Sequence, residues 1–326
     1  MSQSCPMCGS ARTIQLDEVA VARVVDGYKN SNLRIDIRNL MPKATTAIRL
    51  LNCQDCDAEW FDPMITGDDA LYIELQKNDW YYQSDKPEHA QAAALIAPKS
   101  RILEVGCGSG AFASYLDPSV SYRGLEFNAK ALERAQSAGL DVTMTSIETI
   151  AEQEPGTYDV VCHFQVMEHV SDVPAFMRAC VKSLREGGLL LVSVPSEDSF
   201  LRIAAASWLN MPPHHVTRWS DRALRSLYTR LGVDITDLWH EGVAAYHKNW
   251  YEATISAFAL SGRSNMARIL DDRDFRYRLA RRAARTRFLR QRLFELGERK
   301  FPYAGRGHSV TIWGTKPMST AEVVGQ

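Results

Sequence analysis

A glycine-rich turn between two apolar segments constrains the fold more than any other feature of this sequence. Residues 102–110 read Ile-Leu-Glu-Val-Gly-Cys-Gly-Ser-Gly, and a second apolar run ends at Glu126. The first run is predicted to be a short buried strand that turns into a helix, with a carboxylate at the tip of the next strand. Glycine lets the backbone approach a ligand that a side chain would hold away. The pattern therefore predicts a nucleoside-binding site on a doubly wound α/β sheet. The glycines of the turn are Gly106, Gly108 and Gly110.

The spacing of these glycines and the acid before them narrow the class of ligand. Dinucleotide-binding turns space their glycines G-x-G-x-x-G, and a pyrophosphate then sits at the helix N-terminus. Here the spacing is G-x-G-x-G, and Glu104 precedes it. A carboxylate at this point would repel a pyrophosphate but would attract a ligand that carries an amino group and a sulfonium. The alternative is a tight strand–helix turn without a ligand, which Glu104 and Glu126 together disfavour.

This constellation resembles motif I of the class I S-adenosylmethionine (SAM) methyltransferases, hhE/DhGCGxG. The segment QVMEHV at 165–170 is similar to one found in the ubiquinone-biosynthesis-like, type 23 branch of that family. The resemblance covers about residues 80–316 and implies SAM as the cofactor. The cofactor-binding residues that it implies are Glu104, Gly106, Gly108, Gly110, Glu126, Phe127, Ser146, Ile147 and Gln165.

Four of the seven cysteines form two C-x-x-C pairs, a spacing typical of a metal site. Four thiolates favour tetrahedral Zn²⁺, and a metal with four protein ligands would be structural, not catalytic. A redox pair or disulfides are the alternatives, which a cytoplasmic chain disfavours. The predicted metal ligands are Cys5, Cys8, Cys53 and Cys56.

Strands and helices alternate along the rest of the chain, which predicts right-handed crossovers and a parallel sheet. The fold class is therefore α/β: a doubly wound, Rossmann-like, seven-stranded methyltransferase sheet with a small N-terminal zinc-binding module and a helical insertion before the last strand. By resemblance, that last strand is antiparallel. We expect a zinc-ribbon-like module at 1–66, a helical linker or lid at 67–98, the methyltransferase domain at 99–316 with its insertion at 243–307, and a tail at 317–326.

Three histidines are candidate general bases for methyl transfer to a hydroxyl. His169 follows the predicted strand 158–164, at the carboxyl edge where ligands bind in open α/β sheets. His214 and His215 lie in a proline-stiffened loop, MPPHHVTRW, that we expect to overhang the same edge. A structural role, in which these two histidines cap the next helix, is the alternative. His163 lies inside the strand and is predicted to be a satisfied core residue.

The segment 263–306 is strongly basic, with fourteen Lys/Arg against five Asp/Glu. Its apolar positions recur at near-helical spacing and predict a basic amphipathic helix. The helix either covers the active site or packs in a homodimer, binds an anionic substrate, or lies on an anionic membrane surface. Aromatic residues for base stacking are sparse, which disfavours nucleic acid as the partner. The apolar positions are Leu279, Ala283, Phe288, Leu289, Leu293 and Leu296.

The aromatic run before the first strand of the sheet offers a further candidate surface. Trp80, Tyr81 and Tyr82 end a predicted helix over 71–82 and are candidates for a lid or a substrate wall. Packing between the two predicted domains is the alternative role.

Composition sets bounds on location and partners. The 326 residues are 45% hydrophobic and 24% charged, and the formal net charge of −1 implies no global electrostatic partner. No stretch approaches the ~18 consecutive apolar residues of a transmembrane helix. The N-terminus lacks a signal-peptide pattern, so a cytoplasmic location is predicted.

These observations predict a SAM-dependent methyltransferase that acts at oxygen on a small-molecule or carbohydrate-like acceptor. Enzymes that methylate base amino groups usually carry N/D-P-P-Y/F after the fourth strand, whereas residues 163–166 read His-Phe-Gln-Val. One alternative is an RNA methyltransferase guided by the zinc module and the basic helix. A second is a zinc-ribbon interaction protein that binds SAM without turnover.

Overall fold

The structure is a computed structural model that describes residues 4–31, 33–78, 86–204, 206–261, 268, 270–271, 275, 278–279, 282 and 286–319. Predictions for Trp80, Tyr81, Tyr82, Ala283 and the side chain of Phe288 lie outside the described residues. The chain divides into two compact units, each of which is discontinuous in sequence. The first comprises Met1–Leu71, Pro195–Asp221 and His240–Val310, and the second Tyr72–Val194, Arg222–Trp239 and Thr311–Gln326.

In the described part of the chain, strands and helices are interspersed along the sequence. The strands are β1 (Thr13–Ala20), β2 (Ala47–Cys53), β3 (Glu59–Asp62), β4 (Arg101–Val105), β5 (Ser121–Leu125), β6 (Val142–Thr143), β7 (Tyr158–Phe164), β8 (Leu184–Pro195), β9 (Thr217–Arg218), β10 (Asp234–Gly242) and β11 (Arg306–Thr315). The helices are α1 (Val21–Asn30), α2 (Asp69–Leu75), α3 (Pro87–Ala93), α4 (Ala129–Ser137), α5 (Ile147–Gln153), α6 (Val173–Ser183), α7 (Asp221–Arg230), α8 (Lys248–Ser261) and α9 (Arg287–Lys300).

A seven-stranded sheet confirms the predicted α/β fold class. Its strand order is β10-β11-β8-β7-β4-β5-β6, and the five strands from β8 to β6 run parallel. The N–H of Gly187 bonds to Lys316 O and that of Ser196 to His308 O, both at 2.8 Å. Because the partner numbers fall as those along β8 rise, β11 runs antiparallel to β8. The core of the second unit includes Ile102, Phe112, Val160, Leu191 and Trp313.

Local sequence signals set the helix starts on this sheet. Asn128 caps α4 by accepting the Ala131 N–H at 3.0 Å, and Ser146 caps α5 by accepting the Thr149 N–H at 3.2 Å. Such side chains satisfy backbone donors that a helix start leaves unpaired. The predicted helix near Ala111 is wrong in type, since Ala111–Tyr115 is a 3₁₀-helix. Pro118 follows closely and cannot donate the N–H that a longer helix would need.

The first unit contains a second, four-stranded sheet in the order β1-β2-β3-β9. Glu59 pairs with Arg218 and Trp60 with Thr217, so β9, which comes late in the chain, extends the antiparallel N-terminal sheet. The sequence Trp60-Phe61-Asp62-Pro63 predicts an exit turn, but this prediction is wrong because Trp60 and Phe61 are fully buried residues of β3. The mixed apolar and charged pattern over 19–28 predicts a helix, which corresponds to α1. A similar pattern over 33–41 predicts a short strand or a second helix, but this segment contains only a 3₁₀ turn, Arg38–Leu40.

The insertion before β11 contributes α8 and α9, which pack against one another. Phe294 of α9 contacts a buried cluster that includes Tyr251, Ile255 and Phe258 of α8. The apolar face of α9 differs from the predicted one. Leu289 and Leu296 are 44% and 40% exposed, whereas Phe294 packs against the cluster on α8. Gly297 explains the difference, because a Cβ there would lie 2.4 Å from Ile255 O.

Within the described parts of the chain, no helix combines the length and apolar character that crossing a bilayer requires. The cytoplasmic location and the contact with a second copy stay predictions.

Candidate functional site

The glycine turn after β4 requires glycine for two separate reasons. Gly106, Gly108 and Gly110 have φ values of +70°, +57° and +82°, a region that side chains disfavour. A Cβ on Gly106 would lie 2.5 Å from Cγ2 of Val166, and one on Gly110 would lie 2.1 Å from Cδ1 of Leu140. The turn therefore packs closely against the side chains of Val166 and Leu140, which leave no space for a Cβ at Gly106 or Gly110.

Glu104 lies in β4 just before this turn and is 3% exposed. The Tyr122 hydroxyl donates a hydrogen bond of 2.5 Å to its Oε2. Burial raises the pKa of the Glu104 carboxyl to about 8, although Tyr122 and the Lys86 ammonium oppose the shift. A buried carboxyl with a raised pKa is stabilised in its charged form when a cation arrives. Glu104 is thus suited to a positively charged ligand.

Glu126 follows β5 and ties the glycine turn to the end of that strand. Its Oε2 accepts the Gly108 N–H at 2.8 Å, and its Oε1 accepts the Asn128 N–H at 2.7 Å. A carboxylate oxygen has two lone pairs, so each can accept a further hydrogen bond from a ligand hydroxyl. The carboxylate is held in place by backbone groups, which orients it before any ligand binds.

The predicted cofactor residues that follow Glu126 in the sequence differ in exposure. Phe127 is 65% exposed, and Met144, which was not among the predicted residues, is 50% exposed. The Ser146 hydroxyl is engaged as the cap of α5, and the side chain of Ile147 is buried at 3% exposure. Exposed apolar rings and thioethers are surfaces on which a planar ligand can pack.

Gln165 follows β7 in a left-handed conformation, with φ +58°. Its N–H donates to Ser193 O at 2.8 Å, and its Nε2 donates to Oε1 of Glu88 at 3.3 Å. Glu88 belongs to α3 and is only 2% exposed. A non-glycine residue with positive φ carries strain that its neighbours must compensate. The bonds to Ser193 and Glu88 provide that support.

Helix α3 carries two buried polar residues, Glu88 and His89, which no motif in the sequence predicts. His89 is 4% exposed and packs edge-on against the rings of Phe112, Tyr115 and Phe164 at 5.5, 5.7 and 4.8 Å. Burial, helped by the Lys86 charge, lowers the pKa of His89 to about 3, so the ring is neutral. The sequence signal that could have revealed them is the adjacent pair Glu88-His89 in the helix directly before β4.

His169 lies in the 3₁₀ turn Met167–His169, directly after β7. Its side chain is 18% exposed, and its Nε2 lies 3.9 Å from Oε1 of Glu168. The ring meets Tyr72 edge-on at 5.9 Å. Glu168, which the sequence analysis did not single out, is 1% exposed, and burial raises the pKa of its carboxyl to about 8. The turn therefore places a histidine beside a buried acid.

His163 is a core residue but not a hydrogen-bonded one, which corrects the prediction. The residue is fully buried in β7 and packs against the Phe176 ring at 5.3 Å. Among the described residues, neither ring nitrogen has a hydrogen-bond partner. Burial lowers the pKa of His163 to about 3, and the neutral ring is easier to accommodate without partners.

His214 and His215 belong to the first unit, in the segment between β8 and β9. Their rings stack at 4.5 Å with an interplanar angle of 19°, and both residues are buried. Nδ1 of His214 lies 2.9 Å from Leu209 O, and Nδ1 of His215 lies 3.0 Å from Oδ1 of Asn210. These bonds lie within the segment itself, and sequence reasoning did not identify Asn210.

The four predicted metal ligands come together in the first unit. The Sγ atoms of Cys5, Cys8, Cys53 and Cys56 all lie within 4.8 Å of one another. Cys5 and Cys56 are 3.6 Å apart, as are Cys8 and Cys53. A tetrahedral site with Zn–S bonds of about 2.3 Å has sulfur–sulfur distances of about 3.8 Å. The cluster could therefore hold Zn²⁺ with little rearrangement.

The donor set of the second unit fits SAM. Glu104 offers a buried negative charge for a cation, and Glu126 offers held acceptors for a ribose diol. The glycine turn donates the Gly108 N–H to Glu126, and it stays compact because a Cβ at Gly106 or Gly110 would collide with Val166 or Leu140. The two carboxyl groups match the cationic end and the sugar of this cofactor.

Comparison with known proteins supports this interpretation. Residues 82–238 match a family model described as a methyltransferase domain. A ubiquinone biosynthesis O-methyltransferase of Neisseria meningitidis is 29% identical over 154 residues, 42% of this chain and 65% of that protein. Its namesake in Xanthomonas campestris is 30% identical over 158 residues, 40% of this chain and 64% of that protein. The chain thus spans less than two thirds of the length of these relatives.

A solved structure shows the same fold. A SAM-dependent methyltransferase from Archaeoglobus fulgidus superposes with a TM-score of 0.51 at 13% identity, covering 75% of this chain and all of that one. These relatives favour neither the RNA methyltransferase nor the interaction protein without turnover. Sheet order, donor set and sequence matches together assign residues 82–238 to the class I SAM-dependent methyltransferase domains.

Proposed function

We propose that the protein transfers a methyl group from SAM to a hydroxyl oxygen of a small-molecule or carbohydrate-like acceptor. The observation that carries the proposal is the buried Glu104 carboxyl beside a glycine turn whose backbone is bonded to Glu126. The relatives from Neisseria and Xanthomonas are named O-methyltransferases, which supports oxygen as the nucleophile.

SAM supplies a methyl group on a sulfonium, which becomes a neutral thioether when the methyl leaves. Glu104 would hold the cationic end of the cofactor, and Glu126 would accept hydrogen bonds from its ribose. Because both carboxyl groups are fixed by Tyr122 or by backbone N–H groups, the cofactor is oriented at small entropic cost. Orientation of this kind is the main contribution that a protein makes to methyl displacement.

Three histidines are the proposed bases. A neutral imidazole nitrogen takes the hydroxyl proton while the new O–C bond forms and the C–S bond breaks, and the proton then passes to solvent. His169 stands beside the buried Glu168, whereas His214 and His215 have Nδ1 atoms engaged by oxygen acceptors. Removing a general base lowers the turnover rate by roughly 10²–10⁴-fold.

We infer in addition that Cys5, Cys8, Cys53 and Cys56 bind one structural Zn²⁺. Four thiolates leave no open coordination position for a substrate, so the metal would stabilise the fold and take no part in methyl transfer. Elemental analysis of the purified protein should find one zinc per chain and a loss of zinc in Cys53→Ser. A metal-free protein with an unchanged fold would contradict this assignment.

The cofactor proposal is tested by calorimetric titration of the wild-type protein with SAM, and affinity weaker than millimolar would reject it. Transfer is tested with methyl-labelled SAM against panels of phenols, sugars, amines and RNA. We expect label only on hydroxyl acceptors, with turnover lowered in His169→Ala, His214→Ala or His215→Ala. Label on RNA, with an affinity that falls steeply with salt, would instead support the RNA alternative. Full turnover in all three variants would remove these histidines as bases.

A further inference from the structure

The histidine segment, defined as residues 208–216, presents its two histidines in one chemical form. In neutral imidazole one ring nitrogen carries a proton and the other a lone pair, and the hydrogen-bond partner selects which. The acceptor beside Nδ1 of His215 is the side-chain oxygen of Asn210, at 3.0 Å, and an amide oxygen can only accept. With this orientation of the Asn210 amide, a neutral His215 ring carries its proton on Nδ1 and its lone pair on Nε2. A lone pair is what a general base needs.

Asn210 is itself held by buried charged groups. It is 5% exposed and ends the short 3₁₀ turn Trp208–Asn210. The guanidinium of Arg218, in β9, donates to the Asn210 carbonyl oxygen at 2.7 Å. Arg218 is 4% exposed, so this hydrogen bond forms away from water. The backbone of Asn210 is thereby fixed before its side chain meets the His215 ring.

Arg218 is in turn neutralised by a second buried residue. Its Nη1 lies 3.5 Å from Oε1 of Glu197, which is 2% exposed. Oε2 of Glu197 lies 3.3 Å from Nε of Arg268, and Arg268 also pairs with Glu59 of β3. Buried ion pairs of this kind resist displacement, because removing either member leaves an uncompensated charge. The chain of contacts therefore provides a rigid support for Asn210.

We propose that Asn210 is a positioning residue that holds His215 as its Nδ1–H tautomer, so that Nε2 can accept the proton of the acceptor hydroxyl. This inference rests on the proposed methyl transfer for its consequence, but not for its structural content. The neutral amide of Asn210 selects the tautomer of His215 by accepting its Nδ1–H. A carboxylate at the same position would also select it, but its negative charge would in addition stabilise the imidazolium.

His214 provides an internal control for any change at position 210. Its Nδ1 faces a backbone carbonyl oxygen, that of Leu209, which a substitution of the Asn210 side chain leaves in place. The tautomers of both rings can be read in one nitrogen-15 spectrum of the wild-type protein and its variants. The measurement does not require a known acceptor.

The test compares wild type, Asn210→Leu and Asn210→Asp by nitrogen-15 NMR. We expect the Nδ1–H tautomer at His215 in the wild type and in Asn210→Asp, a mixture in Asn210→Leu, and an unchanged His214 throughout. An Nε2–H tautomer at His215 in the wild type would overturn the proposal, even where a variant fails to fold. An unchanged His215 tautomer in folded Asn210→Leu would overturn it as well.

Kinetics test the consequence separately. Asn210→Leu should lower kcat on the order of 10-fold or more while leaving the KM for SAM unchanged. Asn210→Asp should retain turnover but move the acid limb of its pH–rate profile to higher pH, because a carboxylate stabilises the imidazolium. A wild-type protein that transfers no methyl group would contradict the proposed function and leave the tautomer result standing.

Discussion

At the scale of single residues, we expect Glu104 to couple SAM binding to pH. Burial raises the pKa of its carboxyl to about 8, so the free protein holds a proton there at neutral pH. A cationic ligand favours the charged form, and binding must therefore release that proton. Between about pH 6 and 7.5, where a ligand α-amino group stays largely protonated, we expect affinity for SAM to rise by up to about tenfold per pH unit. Calorimetry in buffers of different ionisation enthalpy measures both the affinity and the released proton.

Glu104→Gln is the matched control for this prediction. The amide is similar in size and can still meet the Tyr122 hydroxyl, but it cannot ionise. We expect SAM affinity to fall and to lose its rise over the same pH range. An equally steep rise in Glu104→Gln would assign the released proton to another group.

A second prediction concerns Gly106, where two reasons for glycine can be tested separately. One is crowding by Val166, and the other is the left-handed backbone conformation. Gly106 has φ +70° and a Cβ there would lie 2.5 Å from the β-branched Val166, whereas Gly232 has φ +68° and open space around it. Alanine at either position carries the strain of a left-handed backbone, about 1–2 kcal/mol. Gly106→Ala should cost more, because Val166 is stiff and must shift. Urea unfolding measures both free energies of unfolding, and equal losses would show that crowding at Gly106 is unimportant.

At the scale of elements, Gly297 of α9 reverses the usual effect of a helical glycine. Replacing a glycine inside a helix by alanine normally stabilises it by roughly 0.5–1 kcal/mol. Here the new Cβ would lie 2.4 Å from the carbonyl oxygen of Ile255, so α8 and α9 would have to separate. We expect Gly297→Ala to lower the melting temperature. Leu296→Ala changes a neighbouring, 40% exposed position and should have a smaller effect. A stabilised Gly297→Ala would contradict the close contact.

Sequence reasoning succeeded where local signals and tertiary structure agree. The strand over 158–164 was predicted with its observed bounds, because a near-continuous apolar run is what a strand buried on both faces requires. The glycine turn was equally readable, since positive φ and close approach leave few alternatives to glycine. The strand order and the class of cofactor follow from these elements by resemblance to one family.

Prediction failed where an element depends on a distant partner. The two residues of β9 have no strand pattern of their own and are ordered by β3, far away in the sequence. Trp60 and Phe61 resembled a turn because Pro63 follows them, yet β2 on one side and β9 on the other hold them in a strand. Asn210 was missed for the same reason, since its role depends on the ring of His215 and the charge of Arg218. No local pattern encodes such contacts.

At the scale of the whole molecule, the cysteine cluster and the histidine segment are joined through one sheet. Cys53 ends β2, Cys56 lies in the turn before β3, and β3 pairs with β9, which follows His215. The Phe61 N–H also donates to Val216 O at 3.0 Å. A metal that closes the β2–β3 turn therefore stabilises the strand that anchors the histidine segment. We therefore propose that the cysteine cluster, with Zn²⁺ bound, acts as a scaffold for the histidine segment.

Removal of the metal tests this arrangement by hydrogen exchange. With a chelator, or in Cys53→Ser, we expect faster exchange at the Phe61 amide and throughout β2, since a structural Zn²⁺ contributes directly to folding. The β4–β5 pairing around Glu104 and Gly124 lies in the second unit, so its protection and the binding of SAM should persist. Cys180→Ser changes a buried cysteine of α6 outside the cluster and should leave the exchange of Phe61 unchanged. Equal loss of protection in both units after chelation would mean that the metal stabilises the whole molecule and not the N-terminal sheet and histidine segment in particular.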